Sequence, residues 1–310
     1  MIRITVAICT WNRCHLLHKT LARLAEVGVP GGVTRDVVVV NNNCTDETNA
    51  VVAALSARLP LRLVVEPTPG LSNARNAALR HAVGDYLAWI DDDVLVDTEW
   101  LPSLADAIRR CPDAAGFGGP IDPWFPIEPD PVLAAVFPSL RRGFCGIDYG
   151  PRPVRLTPAQ PIFGANMAYA LTATRGLRFD PALGRNGHHE FGGDDTEFLA
   201  RVHARGGAVM WVPGMRVRHY VDPYRMTLGY LRQFSFDRGR SATRMAPAYD
   251  GPHLWGAPRW LWRATAQRYL QYATLRFTPF RRLALEGVRE YEVTRGMLAE
   301  SRRRHRGAPA

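Results

Sequence analysis

Lysine is almost missing from this chain. Of 39 basic side chains only Lys19 is a lysine, a bias that reflects an arginine-preferring, GC-rich composition and not a function. No C-x-x-C pair occurs. The five cysteines, Cys9, Cys14, Cys44, Cys111 and Cys145, are odd in number and far apart, which argues against a disulfide framework or a zinc knuckle and fits a reduced, cytosolic protein. Long apolar runs are missing too. The longest charge-free stretch, residues 156–174, holds two prolines, a glutamine, an asparagine and three threonines, a poor candidate for a membrane span. The opening "MIRITVAICTWNR" has too short an apolar run for a signal peptide and reads as a first strand. No G-x-G-x-x-G follows that strand, which argues against a dinucleotide oxidoreductase. "TWNRCHLLHK" offers no glycine-rich basic loop of the kind a nucleotidyltransferase uses to hold a triphosphate, and no aromatic RNA-binding signature appears.

What is there is a globular composition: 310 residues, 46% hydrophobic and 22% charged, enough for one large domain with an extension. Strand and helix patterns alternate. "ITVAICT", "DVVVV", "LRLVVE" and "DYLAWI" read as strands, and helical patterns separate them, with Thr45 and Ser72 as cap candidates and Gly84 as a stop. The alternation predicts an α/β fold built on a mostly parallel, doubly wound sheet, whose ligands sit at the carboxyl ends of the strands. At the fourth of those ends stand Asp91, Asp92 and Asp93. Like charges that close are tolerated around a cation, and carboxylates without nearby cysteine suit Mg²⁺ or Mn²⁺; a solvated turn is the alternative. The tips "TWNR", "NNNCTD" and "EPTPGLSNARN" add polar groups suited to a base and ribose.

As a set, "TWNR", "VVVVNNNCTDET", "GLSNARNAAL", "GDYLAWIDDD", "FGANMAY" and "GGDDTEFLARV" resemble the inverting nucleotide-sugar glycosyltransferases of family 2, over about residues 3–220. The resemblance implies the GT-A fold, Rossmann-like, for residues 1–221. It implies that Thr10, Asn12 and Arg13 line a nucleotide pocket, with Arg75 supporting the nucleotide or its diphosphate. Asn41 stands where the family usually has an aspartate that reads the base. Asp91 and Asp93 become the D-x-D pair, Asp93 as direct metal ligand and Asp91 as ribose or second contact. Asp92 is the variable middle position, beside the nucleotide sugar or facing away. His219 matches a histidine that touches metal or diphosphate in some relatives, although a lone histidine is as often structural. Asp195 matches the general base. Asp194 replaces the family's glutamate and, with Gly164, Asn166 and Trp124, would bound the donor-sugar or acceptor pocket. In "GGDDTEF" a helix cap is the alternative reading. "NGHHEF", with His188 and His189, is a further acceptor candidate.

The resemblance therefore implies a metal-dependent single displacement. A nucleoside-diphosphate sugar would be the donor, and a glycan or lipid-linked hydroxyl the acceptor. A nucleotidyltransferase and a non-catalytic nucleotide- or glycan-binding module are the competing classes.

Residues 222–310 form the second part. They hold 17 arginines against 7 acids, whereas residues 1–221 balance at 22 of each sign. In "RWLWRATAQRYLQYATLRF" an apolar stripe, Trp262, Ala266, Tyr269, Leu270, Ala273 and Phe277, runs beside Arg259, Arg263, Gln267 and Gln271. Two readings stay open: an interfacial helix at the inner face of the cell membrane, or a helix packed on the catalytic domain. Nucleic acid is not expected as a partner. The terminal "ESRRRHRGAPA" is expected to fray.

Overall fold

The computed structural model describes residues 1–129, 146–184 and 193–307, and all side chains among them except that of residue 281. "NGHHEF" and residues 130–145 lie outside the described residues. The chain divides into two compact units: Met1–Trp124, Cys145–Gly184 and Asp194–Tyr220 in one, and Phe125–Phe144, Arg185–Gly193 and Val221–Ala310 in the other.

The first unit is built on β1 (Ile2–Thr10), α1 (Cys14–Ala25), β2 (Val33–Asn41), α2 (Thr48–Leu55), β3 (Leu61–Val65), α3 (Leu71–His81), β4 (Tyr86–Trp89), β5 (Val94–Val96), α4 (Trp100–Arg110), β6 (Gly116–Gly118), β7 (Ile121–Trp124), β8 (Val154–Arg155), β9 (Met167–Ala170), α5 (Asp194–Ala204), β10 (Val209–Trp211) and β11 (Val217–Tyr220). Its main sheet runs in the order β3-β2-β1-β4-β9-β6-β10-β8. β1 pairs in parallel with β2 and β4, and β2 with β3, so the tips read from sequence do share one edge. The sheet is mostly parallel, as expected, with antiparallel pairing at β9, which lies between β4 and β6, and at β8, which pairs with β10. Val37 to Val40 are fully buried, as continuous apolar strands covered on both faces must be. Trp89, Trp100, Trp211, Tyr169, Phe117, Phe179 and Phe198 fill the same core.

A small second sheet, β5-β11-β7, carries the strand that bears His219. Along β11, Val217 and His219 are buried and Arg218 is exposed, the period-two alternation of a strand with one covered face.

Two caps differ from expectation. α2 begins at Thr48, whose amide and hydroxyl donate to Asp46 Oδ1, so Asp46 and not Thr45 closes that turn. α3 begins after Gly70 at φ 120°, and Ser72 is instead buried with its hydroxyl donating to the Leu183 carbonyl.

The second unit contains α6 (Leu228–Met245), a short hairpin of β12 (His253–Leu254) and β13 (Ala257–Pro258), α7 (Arg259–Leu275) and α8 (Arg281–His305). Val221, Met226 and Leu231 form its apolar cluster, with Phe125 and Leu285 packed on it. Ion pairs tie α6 to α8: Arg232 to Glu292 at 2.9 Å, and Arg240 and Arg244 to Glu300 at 3.1 and 3.0 Å. α8 continues through Arg302, Arg303 and Arg304, where fraying was expected; Arg303 pairs with Glu300 and Arg304 donates to the Thr243 carbonyl. No helix among the described residues is long and apolar enough to cross a membrane.

Candidate active site

The acidic triplet leaves the end of β4 and runs into β5. β5 pairs antiparallel with β11, placing His219 opposite Val94, and the Tyr220 amide donates to the Asp93 carbonyl at 3.0 Å. That register brings His219 Nε2 to 3.3 Å from Asp93 Oδ1 and 3.7 Å from Asp91 Oδ2. One ligand atom from each of Asp91, Asp93 and His219 lies within 4.8 Å of the others. Asp93 Oδ1 is buried with no hydrogen-bond partner. An orphaned carboxylate oxygen between a second carboxylate and an imidazole nitrogen is a set of hard and borderline donors that fits a divalent cation. His219 is buried beside the carboxylates, so the structural and ligand readings of it merge into one place.

Asp92 does not face away. It is 4% exposed; its Oδ2 accepts from the Thr10 hydroxyl at 2.7 Å, its Oδ1 from Arg13 at 3.0 Å, and its carbonyl from the Thr20 hydroxyl at 2.9 Å. Arg13 also reaches Asp93 Oδ2 at 2.7 Å. The triplet is therefore braced by β1 and α1 from behind. Burial pushes the Asp92 carboxyl up to about 7; the Arg13 charge and the Thr10 hydroxyl draw it down, and Asp93 adds to the rise. Thr10 and Arg13, expected to line a nucleotide pocket, both hold the acidic triplet. Thr20 was not singled out from sequence, being one polar residue on an amphipathic helix.

Asn41 is likewise engaged by the protein. Its Oδ1 accepts from the Cys44 amide at 2.7 Å and its Nδ2 donates to Asn49 at 2.8 Å. Asn42 donates to the carbonyls of Glu66 and Thr68 and accepts from the Gly70 amide. An amide carries donor and acceptor together, so these asparagines stitch two loops with single side chains. Asn12, at φ 53°, accepts from the Thr45 amide at 2.7 Å, linking the tips of β1 and β2.

Arg75, on α3, is 3% exposed. One guanidinium nitrogen pairs with Asp194, and the other lies 3.9 Å from Asp91; the Phe179 ring lies 5.5 Å beneath, itself stacked on Phe198. The next residue, Asn76, grips Phe179 through both backbone groups, at 2.8 and 2.7 Å. Asp194 is thus 3% exposed and committed to Arg75, not open to a ligand. Asp195, one residue on in α5, is half-buried; its Oδ2 accepts from the Gly164 amide at 3.0 Å and its Oδ1 from the Thr196 amide at 2.8 Å. Burial and the neighbouring Asp194 charge push its carboxyl above the usual range, against Arg75 and the two amides.

Asn166 is no pocket residue. It is fully buried, accepts from the Trp100 indole at 2.9 Å and donates to the carbonyls of Pro120 and Met215 at 3.1 and 2.5 Å, bracing β9 against α4 and the approach to β11. Trp124 is half-buried at the edge of the small sheet, edge-on to Tyr220 at 5.5 Å with the Lys19 amine 5.9 Å from its ring.

Residues 5–127 match the family described as Glycosyl transferase family 2. The chain is similar to the succinoglycan biosynthesis protein ExoM of Rhizobium meliloti, 27% identical over 252 residues, which is 79% of this chain and 75% of that protein. It is also similar to the glucosyl-dolichyl phosphate glucuronosyltransferase of Haloferax volcanii, 25% identical over 183 residues, 58% of this chain and 57% of that one. Among solved structures, the mannosyltransferase PcManGT from Pyrobaculum calidifontis, in complex with GDP-Man and Mn²⁺, superposes with a TM-score of 0.60. The match is 20% identical over 96% of this chain and 87% of that chain, and it establishes the fold.

Proposed function

From the premise that this chain is a family 2 glycosyltransferase of GT-A fold, we propose that it moves a sugar from a nucleoside diphosphate to an acceptor hydroxyl by one inverting displacement. Residues 1–221 form the catalytic part and residues 222–310 an accessory extension. The observation that carries the reading is Arg75, which reaches Asp194 beside Asp195 on one side and Asp91 of the acidic cluster on the other.

Asp91, Asp93 and His219 would hold a divalent cation, Mn²⁺ or Mg²⁺, which would supply positive charge to the departing diphosphate. Arg75 orients both carboxylate groups and offers its own charge to the same region. Thr10, Thr20 and Arg13 keep the triplet rigid through Asp92. Asp195 accepts the proton of the acceptor hydroxyl as the new bond forms at the anomeric carbon and the bond to the diphosphate oxygen breaks. Its raised carboxyl pKa makes it a better base, and the Gly164 and Thr196 amides each hold one of its oxygens, which fixes the carboxylate plane. One face carries the leaving group and the other the base, so the anomeric configuration inverts without a covalent enzyme intermediate. The acceptor is a hydroxyl of a glycan or a lipid-linked saccharide.

The test is a thermal-shift panel with UDP-, GDP- and dTDP-sugars, each with Mn²⁺, Mg²⁺ or EDTA. A ligand that binds only the folded state raises the melting temperature by mass action. A shift for one nucleotide that EDTA removes supports the reading. No shift with any donor, in folded protein, overturns it in favour of a different ligand.

A further inference from the structure

Between Gly251 and Leu285 the chain carries six arginines and not one aspartate or glutamate. Inside this stretch, α7 turns Leu261 inward, 1% exposed, and stacks Tyr272 on Tyr291 of α8 with ring centroids 6.3 Å apart. The opposite side is bare. Leu270 is 62% exposed, and Phe277, two residues past the last residue of α7, is 78% exposed. Across the turn into α8, Phe280 is 60% and Leu283 46% exposed. Four large apolar side chains left in water within one helix end and its turn mark an interaction surface, because scattered single exposures do not cluster this way. Cations rim it. Arg268 and Arg276 are exposed, the Arg276 guanidinium lies 4.3 Å from the Phe277 ring centroid, and the Arg282 side chain is 62% exposed while pairing with Glu286 at 3.3 Å.

We infer that this α7–α8 turn docks the protein on an anionic lipid surface, with Leu270, Phe277, Phe280 and Leu283 entering the headgroup boundary and Arg268, Arg276 and Arg282 meeting lipid phosphates. The charge decides the occupant. A second copy of this chain would bring six arginines against six, and Glu286, just past the stretch, is already paired with Arg282. A nucleic acid would use the arginines but has no place for the aliphatic Leu270 and Leu283, since base stacking needs aromatic faces. A membrane interface takes both: apolar tips go into the acyl boundary while arginines stay at the headgroups by extending along the surface. The arrangement lies on the bilayer and does not cross it, in keeping with the absence of a spanning helix among the described residues. This surface is independent of the residues proposed for sugar transfer.

The experiment is flotation of the full chain with phosphatidylcholine vesicles, with and without about one-third phosphatidylglycerol. Binding is expected only with the anionic lipid and is expected to fall at high salt. The double variant Phe277→Ser, Phe280→Ser lowers partitioning at least tenfold, and each of Arg268→Gln, Arg276→Gln and Arg282→Gln lowers it about fivefold. Unchanged melting temperature and nucleotide-induced shift show that the variants fold. Equal binding to neutral vesicles, binding insensitive to both sets of variants, or no flotation overturns the inference. So does a dimer that the phenylalanine variant dissolves, or an RNA complex, in protein that ignores vesicles.

Discussion

The Arg75 guanidinium fills the space that a side chain on Gly164 would need. Gly164 also donates its amide to Asp195, so one residue sets both the cation and the proposed base. Gly164→Ala is expected to push Arg75 off Asp194. Because Arg75 is 3% exposed and cannot swing into water, transfer should fall at least a hundredfold, a larger effect than any change in melting temperature. A double-mutant cycle checks the cause: in an Arg75→Met background, Gly164→Ala should cost little more. Full additivity of the two losses would break the link.

Asp93→Asn and His219→Ala should each abolish the metal-dependent part of donor binding, read as the melting-temperature difference between Mn²⁺ and EDTA. The two act through one cluster, so the double variant should be no worse than either single one. A normal metal-dependent shift in Asp93→Asn would remove it as a ligand.

Asp195→Asn keeps the side-chain shape and its acceptor oxygen for the Gly164 amide but loses the base. Donor binding should be retained while turnover drops about 10²–10⁴-fold. Near-normal turnover would transfer the role to another group.

Much of this arrangement is legible from the chain, and the limits have physical causes. That β1, β2, β3 and β4 are strands follows from apolar periodicity, although their order in the sheet does not, and the acidic triplet falls at a strand end because that is where a parallel sheet presents its loops. The antiparallel β9 is not legible, because "MAYA" is too short and too small to announce a direction. Polar residues mislead most. Asn41 and Asn166 have the same donor and acceptor groups whether they meet a ligand or the backbone, and only the fold reveals that Cys44, Asn49, Trp100, Pro120 and Met215 have already engaged them. Asp92 carries no mark in the sequence that separates it from Asp91 and Asp93, yet Thr10, Arg13 and Thr20 fix it in the interior.

Asn166 offers a way to tell bracing from binding. Asn166→Ala leaves the Trp100 indole and two carbonyls unanswered in the core, at a cost of about 1–3 kcal/mol for each group left without a partner. The melting temperature should drop while donor affinity, measured well below it, stays near normal. The reverse pattern, normal stability with lost donor affinity, would return Asn166 to the pocket.

Glu300 gives the second unit a pH dependence with a definite sign. Its side chain is fully buried among Arg240, Arg244 and Arg303. Burial pushes its carboxyl up, but hydrogen bonds from Arg303 and Arg240 and the charge of Arg244 outweigh it and hold the pKa below its ordinary 4.5. A carboxylate whose folded pKa is depressed stabilises the fold above its unfolded pKa, and that stability drains away as pH falls through the folded value. Glu300→Gln removes the charge while keeping the shape, so the three guanidinium groups lose the carboxylate they share and at neutral pH the change should cost about 1.5–3 kcal/mol. Below the folded pKa the native glutamate is itself neutral, and the two proteins become electrostatically alike. Melting curves of both, taken from neutral pH downward, should therefore converge, starting near pH 4.5. Other carboxylates titrate in both proteins and cancel in the comparison. A gap that stays constant through the acid range would mean that Glu300 acts through packing and not through charge.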